Sequence, residues 1–255
     1  MRIGLVLNVL DEQYQISVYK GVFKRAKELG IEIVCFQLEN IKFSNPSFAN
    51  IFPSQSIFNL DGIILLTSVI KDGYVLKTKD DVMRLWKNIP LVSVGQKIKD
   101  VPSLLIETDD SMKQLVEHLI IKHEYRNFLY ISGSENHHDA DRREQIFKET
   151  LEAYKPWFSD INYSIRRGWF NEHDANQVMK EYVTENTDKK LDAIVCANDN
   201  MAIGVYKFFE MNHQKGGVKE CAVTGFDDIP QSRYVIPSLT TVRQPLEEIG
   251  SEAVD

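Results

Sequence analysis

The sequence predicts an α/β protein of two doubly wound parallel-sheet lobes, and three features lead there. Short apolar runs alternate with longer stretches of helical period along most of the chain. The alternation occurs in two successive arrays of about 110 residues each, which suits two lobes better than one large sheet. Polar and aromatic residues gather directly after the apolar runs, at the strand ends where open α/β sheets bind ligands.

The first array contains RIGLVL (2–7), IEIVCF (31–36), GIILL (62–66), LVSV (91–94) and LLIE (104–107) as strands. Between the first two, Val18, Val22, Ala26 and Leu29 recur at helical spacing, and Gly30 stands where a C-terminal cap belongs. The stretch 45–59 is rich in proline and serine and predicts a loop with a short helix. The second array contains NFLYIS (127–132), INYSI (161–165), DAIVCA (192–197) and CAVTGF (221–226), with helices around 111–121, 141–154, 174–185 and 200–211. KHEYRN (122–127) is the expected boundary, so that residues 1–123 form an N-terminal lobe and 124–238 a C-terminal one. An extended LTTV then leads to a helix opening at Pro245, and that helix is cut off at Asp255, as in a piece excised from a longer protein.

Composition narrows the function classes. The 255 residues are 43% hydrophobic and 26% charged, ordinary for a globular protein. Thirty basic against thirty-seven acidic residues give a net charge of −7, the wrong sign for a general nucleic-acid or anionic-membrane surface. No segment approaches the roughly 18 uninterrupted apolar residues of a membrane span, and MRIGLVLNVL lacks a cleavage pattern. Cys35, Cys196 and Cys221 are scattered, odd in number and set in apolar runs, which predicts free thiols in a reducing cytoplasm.

The residues that follow each strand form the candidate site. They are Asn8 to Tyr14, Thr67 and Ser68, Gly95 and Gln96, Thr108 to Ser111, Ser132 to Arg143, Asn198 to Asn200, and Phe226 to Asp228. Nearly all can hydrogen-bond or stack, and few are reactive. His137, His138, Asp139 and Asp141 could ligate a metal, but adjacent histidines rarely bind one ion and no H-E-x-x-H spacing or cysteine set accompanies them, so no metal is expected. Arg143, near the start of a helix behind a strand, could bridge two ligand oxygens with its guanidinium fork, or simply pair with a neighbouring glutamate. At the next strand-to-helix junction Asp199 is a natural N-cap and Asn198 is freer to face a ligand. Asp109 or Asp110 could cap its helix or reach bound hydroxyls.

Catalysis finds little support, and a hydrolase or isomerase on the same scaffold is the remote alternative. The chain has no G-x-S-x-G elbow, no phosphate-binding G-x-x-x-x-G-K-[ST] loop and no G-x-G-x-x-G turn, and Gly216 and Gly217 are expected to end a helix. A hydrolase built on Asp227 and Asp228 needs a second acid, for which Asp110 would have to be recruited. No enzyme and no cofactor are therefore expected.

ANDNMAIGVYKFFE, VTGFDDIPQSRYVIPSLTTVRQPLEEIG and EHLIIKHEYRNFLYISG closely resemble the effector-binding core of LacI/GalR repressors, itself similar to periplasmic sugar-binding proteins. The resemblance spans essentially the whole chain and is most specific in its last third. It implies two lobes joined by three crossovers, with residues 239–255 returning to the first lobe and a ligand cleft between the lobes. It further implies that Arg143, Asn198 and Asp227 line the cleft from the second lobe, and that Gln244 and Asp110 approach from the first lobe or hinge. Asp11, Gln13 and Tyr14 occupy the family's first-strand effector loop, with Tyr14 a candidate aromatic platform, and Ser68 follows the third strand. Phe226 is expected to pack in the core, Asp227 to face the ligand and Asp228 to stabilise the turn before Pro230.

The chain departs from the family pattern at Met112 and Ile146, where glycine is usual, and at Lys122 to Glu124, where Gly-His is usual. If Met1 is the native start, no helix-turn-helix precedes the first strand. That arrangement resembles LacI-type sensor domains at the front of bacterial signalling proteins, with a diguanylate cyclase, histidine kinase or AraC-type module after residue 255. The expectation is a cytoplasmic sensor that binds a small polar effector, most simply a sugar, pairs as a homodimer and makes no direct contact with nucleic acid or membrane. The alternative is the core of a DNA-binding repressor whose headpiece is missing.

Overall fold

The computed structural model describes residues 1–38, 59–70, 89–135, 137–187, 190–212 and 221–255. The expected loop at 45–58 and the glycines at 216 and 217 lie outside the described residues. By its contacts the chain divides into two units, Met1–Ile106 with Pro245–Asp255, and Glu107–Gln244.

In the first unit β1 (Arg2–Leu7), β2 (Glu32–Gln37), β3 (Gly62–Leu66), β4 (Leu91–Val94) and β5 (Ser103–Leu104) form one parallel sheet in the order β2-β1-β3-β4-β5. Both of its faces are covered, which is why β3 can be apolar at successive positions. Val6, Ile63 and Leu65 pack with Leu38 and Ile98, while Leu5, Leu7, Ile64 and Leu66 pack with helix α1 (Gln13–Leu29). The expected LLIE strand is shorter than its apolar run because its partner ends. β4 stops at Val94, Gly95 turns the chain at φ 96°, and its N–H makes the last bond, to Leu104 O at 2.9 Å.

Helix α1 buries Val18, Val22 and Ala26 on one face and ends, as its sequence predicts, at a left-handed Gly30 with φ 67°. The last helix of the chain lies against it; we number it α6 (Leu246–Glu252), and Pro245 is its N-cap rather than its first residue. Two glycines allow the approach. A Cβ on Gly21 would stand 1.9 Å from the Glu247 carbonyl oxygen, and one on Gly250 would stand 2.2 Å from that of Val18.

The second unit holds β6 (Asn127–Ser132), β7 (Asn162–Arg167), β8 (Ala193–Cys196), β9 (Ala222–Asp227) and β10 (Thr240–Arg243), all parallel, in the order β10-β9-β8-β6-β7. Helices α2 (Asp109–Ile121), α3 (His138–Tyr154), α4 (Glu172–Glu185) and α5 (Asp199–Asn212) accompany them. Its core joins both sheet faces to these helices and includes Phe128, Tyr130 and Phe147, with the Tyr130 and Phe147 rings stacked 4.7 Å apart. Two helices start earlier than their apolar period suggests because polar caps lie upstream. Asn171 accepts the Asp174 N–H at 2.9 Å ahead of α4, and His137 accepts that of Ala140 at 3.4 Å ahead of α3.

The division between units differs from the boundary expected at 122–127. Helix α2 packs through Met112, Leu115, Val116, Leu119 and Ile120 into the second core, and β10 pairs with β9, so both belong to the second unit. Only α6 returns to the first.

Counted within its own unit, each sheet has the strand order 2-1-3-4-5. That order reverses direction between the first and third strands, so the switch points fall between β1 and β3 and between β6 and β8. Among the described residues no helix is long and apolar enough to cross a membrane.

Candidate functional site

The second unit's switch point gathers a buried charged set. Arg143, on the second turn of α3, donates from Nη1 to the Ala197 carbonyl at 2.7 Å, and so reaches from the helix after β6 to the end of β8. Its guanidinium lies 4.0 Å above the Phe226 ring, a cation–π contact in a dry place, and its Nη1 is 4.0 Å from Asp227 Oδ1. The Nε of Arg143 is buried without a hydrogen-bond partner. Gln244 Nε2 donates to Asp227 Oδ1 at 2.5 Å. Burial pushes the Asp227 carboxyl up to about 7, with Asp199 and Asp139 adding to the rise, while Arg143 and the Gln244 hydrogen bond oppose it.

Asp227 and Asp228 both have left-handed backbones, φ 119° and 53°. Such conformations cost about 1–3 kcal/mol each in a residue with a Cβ, so the surroundings must impose them. Asp199 supplies much of the constraint. It is fully buried; its Oδ2 accepts the Ile229 N–H at 2.9 Å and the Ser232 hydroxyl at 2.6 Å, and its Oδ1 accepts the Thr241 hydroxyl at 2.5 Å. Burial raises the Asp199 carboxyl, and these hydrogen bonds work against that rise. Gly225 leaves room for it, since a Cβ there would stand 2.1 Å from Asp199 Oδ1.

The roles at this junction are exchanged relative to expectation. Asn198, not Asp199, caps α5: its Oδ1 accepts the Met201 N–H at 3.0 Å, and its Nδ2 donates to the Phe170 carbonyl at 3.1 Å. Asp228 is held by arginines, accepting from Arg243 Nε at 2.5 Å with Arg233 Nη2 at 3.4 Å. Phe226 is fully buried in the core.

Phe170 was not among the expected site residues. Trp169 and Phe170 also have left-handed backbones, φ 53° and 62°, and the His137 ring stands edge-on to Phe170 at 4.9 Å. Both follow β7 directly, so their position past a strand end is the signal that marks them. Among the described residues no cluster of three or more His, Cys, Asp or Glu could hold a metal ion.

The first unit's switch point buries hydroxyls rather than charges. Tyr14, early in α1, and Ser68, after β3, place their hydroxyl oxygens 3.1 Å apart. Beside them Thr67 Oγ1 donates to the Val94 carbonyl at 2.8 Å and accepts the Gln96 N–H at 3.0 Å, and Ser93 Oγ donates to the Gln96 carbonyl at 2.7 Å. Asp11 is exposed and Gln13 half-buried. The buried amide of this loop is instead Gln15, whose Oε1 accepts the N–H groups of Asn8 at 2.9 Å and Val9 at 3.0 Å. Asp110 is exposed beside a groove of about 400 Å³ between α2 and α3, with Lys113, Glu149 and Tyr154 in its lining. Among the described residues no hydrogen bond or ion pair joins Asp110 to the Asp227 set.

Comparison with known proteins gives this arrangement its relatives. Residues 116–255 match the family described as periplasmic binding protein-like domain. The chain is 26% identical over 205 residues to the probable HTH-type transcriptional repressor ExuR of Bacillus subtilis, covering 78% of this chain and 57% of that protein. It is 22% identical to the HTH-type transcriptional repressor PurR of Yersinia pestis, covering 98% of this chain and 70% of that one. The matched region thus spans little more than half the length of the first of these relatives. Among solved structures, a LacI family transcriptional regulator from Enterococcus faecium with bound ribose superposes with a TM-score of 0.79 at 17% identity, covering 100% of this chain and 88% of that one. The trehalose repressor from Escherichia coli gives 0.78 at 16%, covering 99% and 90%. These two likenesses show the fold. With more than half of the chain matched, it belongs to the periplasmic binding protein-like domain family.

Proposed function

We propose that this chain is the effector domain of a LacI-type transcription regulator, a binding protein and not an enzyme, and that its effector is a small polar molecule of sugar-like chemistry. The observation that carries the reading is the Arg143, Asp227 and Gln244 set: a buried cation and carboxylate at the strand ends, with the backbone at Asp227 held in a left-handed conformation. Such groups pair with the donors and acceptors of vicinal hydroxyls, and burial gives each bond more weight than it would have in water. Phe170 adds an apolar ring face, and Tyr14 and Ser68 are the polar pair at the first unit's own strand ends. Asp110, Asp11 and Gln13 are peripheral in this reading, and Asn198 acts by holding the Phe170 backbone.

Regulation requires that the effector bind one conformation of the domain more tightly than another, since equal affinity shifts nothing. The relatives are HTH-type repressors by name, which supports output through a DNA-binding headpiece over the diguanylate cyclase, histidine kinase or AraC-type modules expected from the sequence. A cytoplasmic homodimer is the form we propose, in keeping with the dimeric Lac repressor among the structural neighbours. Thermal-shift and calorimetric titration against pentoses, hexoses, disaccharides, uronates and purines tests the reading. A ligand that binds wild type and loses at least tenfold in affinity with Arg143→Ala and with Asp227→Asn supports it. Equal binding by all three proteins would refute the assigned site.

A further inference from the structure

At the C-terminal end of α2 two histidines meet outside the site described above. His118 lies on the last turn of the helix and His123 just past its C-cap, Lys122, and their Nε2 atoms are 3.0 Å apart with the rings edge-to-face at 4.8 Å. The pair is not a chance contact of two loose side chains. Glu124 turns the backbone at φ 56°, and the Tyr125 N–H returns to the Leu119 carbonyl at 3.1 Å. The Tyr125 ring then stacks on His123 at 5.2 Å and 17°, which helps to hold that imidazole.

The geometry points to a surface site for one divalent transition ion of the Cu²⁺ or Ni²⁺ type, held by His118 and His123 through Nε2, with water in the remaining positions. Metal–imidazole bonds are about 2.0–2.1 Å, so two nitrogens at a right angle around one ion stand about 2.9 Å apart, and two at a tetrahedral angle about 3.3 Å. The observed 3.0 Å matches the right-angled bite of tetragonal and octahedral ions, and imidazole suits both metals. The shared hydrogen bond requires one Nε2 to carry its proton and the other its lone pair. Binding moves that proton to Nδ1 through solvent, so two neutral rings become two ligands with no net proton change. The end of a helix also favours a cation, through its unpaired carbonyls. A bound ion would clamp the last turn of α2 to the turn that enters β6.

Calorimetric titration with CuCl₂ and NiCl₂ at pH 7.5, and electron paramagnetic resonance of the equimolar Cu²⁺ protein, test this on wild type, His118→Ala, His123→Ala and the double variant. We expect one strong site with a two-imidazole signature, a loss of tenfold or more in affinity for either single variant, and loss of the site by pH 5. His123 is exposed, so its variant reports on ligation without disturbing the core. If the double variant binds Cu²⁺ as wild type does, other groups of the chain are responsible and the assignment is wrong.

Discussion

The two switch points share one topology and differ in chemistry. In the second unit the strand ends hold a buried arginine and two buried carboxylates, one of them with a left-handed backbone. In the first they hold hydroxyls that satisfy each other and the backbone. A given strand order therefore fixes where a site lies but not its electrostatics. Unpaired charge in a dry place is costly, so the second set is conditional on its partners, whereas a neutral hydroxyl network loses little when one member goes.

Removing Arg143 should break this contrast most severely. Arg143→Ala leaves Asp227 buried without its cation, and we expect a loss of about 3–5 kcal/mol at pH 8 in urea unfolding. The loss should shrink at pH 5, where Asp227 takes up a proton. Asp227→Asn comes next and acts through pH. The native carboxyl titrates near 7, above the ordinary aspartate range, so the folded chain holds this proton more tightly than the unfolded chain. The sign is therefore destabilising with rising pH: stability from this group is greatest below about pH 4 and is lost as pH climbs through 7, by at most about 1.4 kcal/mol per unit. The difference between Asp227→Asn and wild type should grow in favour of the variant across that window. Asp192 has the opposite sign. Burial pushes its carboxyl up, but Lys190 and the N–H groups of Arg126 and Asn127 bring it down to about 2, so its contribution is lost on acidification toward pH 2 and should be the same in both proteins.

Effects in the first unit should be smaller. Gly95→Ala places a Cβ 2.5 Å from that of Ser68 at a backbone φ of 96°, and a loss of about 1–3 kcal/mol by thermal unfolding is expected. Tyr14→Phe removes one hydroxyl from a partly buried pair and should cost about 1 kcal/mol or less. If Tyr14→Phe proved as damaging as Arg143→Ala, the contrast between the two sets would fail.

Apolar periodicity carried most of the fold, because burial on both faces of a parallel sheet demands unbroken apolar runs. RIGLVL, GIILL, LVSV and NFLYIS all occupy the strands expected of them. The unit boundary was not legible, since α2 reveals its partner only through packing with α3 and the core beneath it. Arg143, Asp227 and Gln244 came from strand-end position and resemblance, and the structure brings these three together. The exchange of roles between Asn198 and Asp199 could not be read from the sequence, because either side chain can cap a helix and only the fold supplies Ile229, Ser232 and Thr241 as partners for the acid. Phe170 follows β7, whose C-terminal end, like that of β2, was not among the candidate positions.

The backbone-close packing of α1 against α6 also bears on the order of assembly. The second unit is a contiguous stretch, Glu107–Gln244, while the first contains Leu246, Ile249 and Val254 in the same core as Leu5 and Val18. During synthesis the inserted unit has all its parts as soon as Gln244 emerges, but the α1 face that receives α6 stays uncovered until the residues after it are made. The unit begun earlier is thus the later of the two to finish folding, and its Val18–Val22 face is the surface that waits.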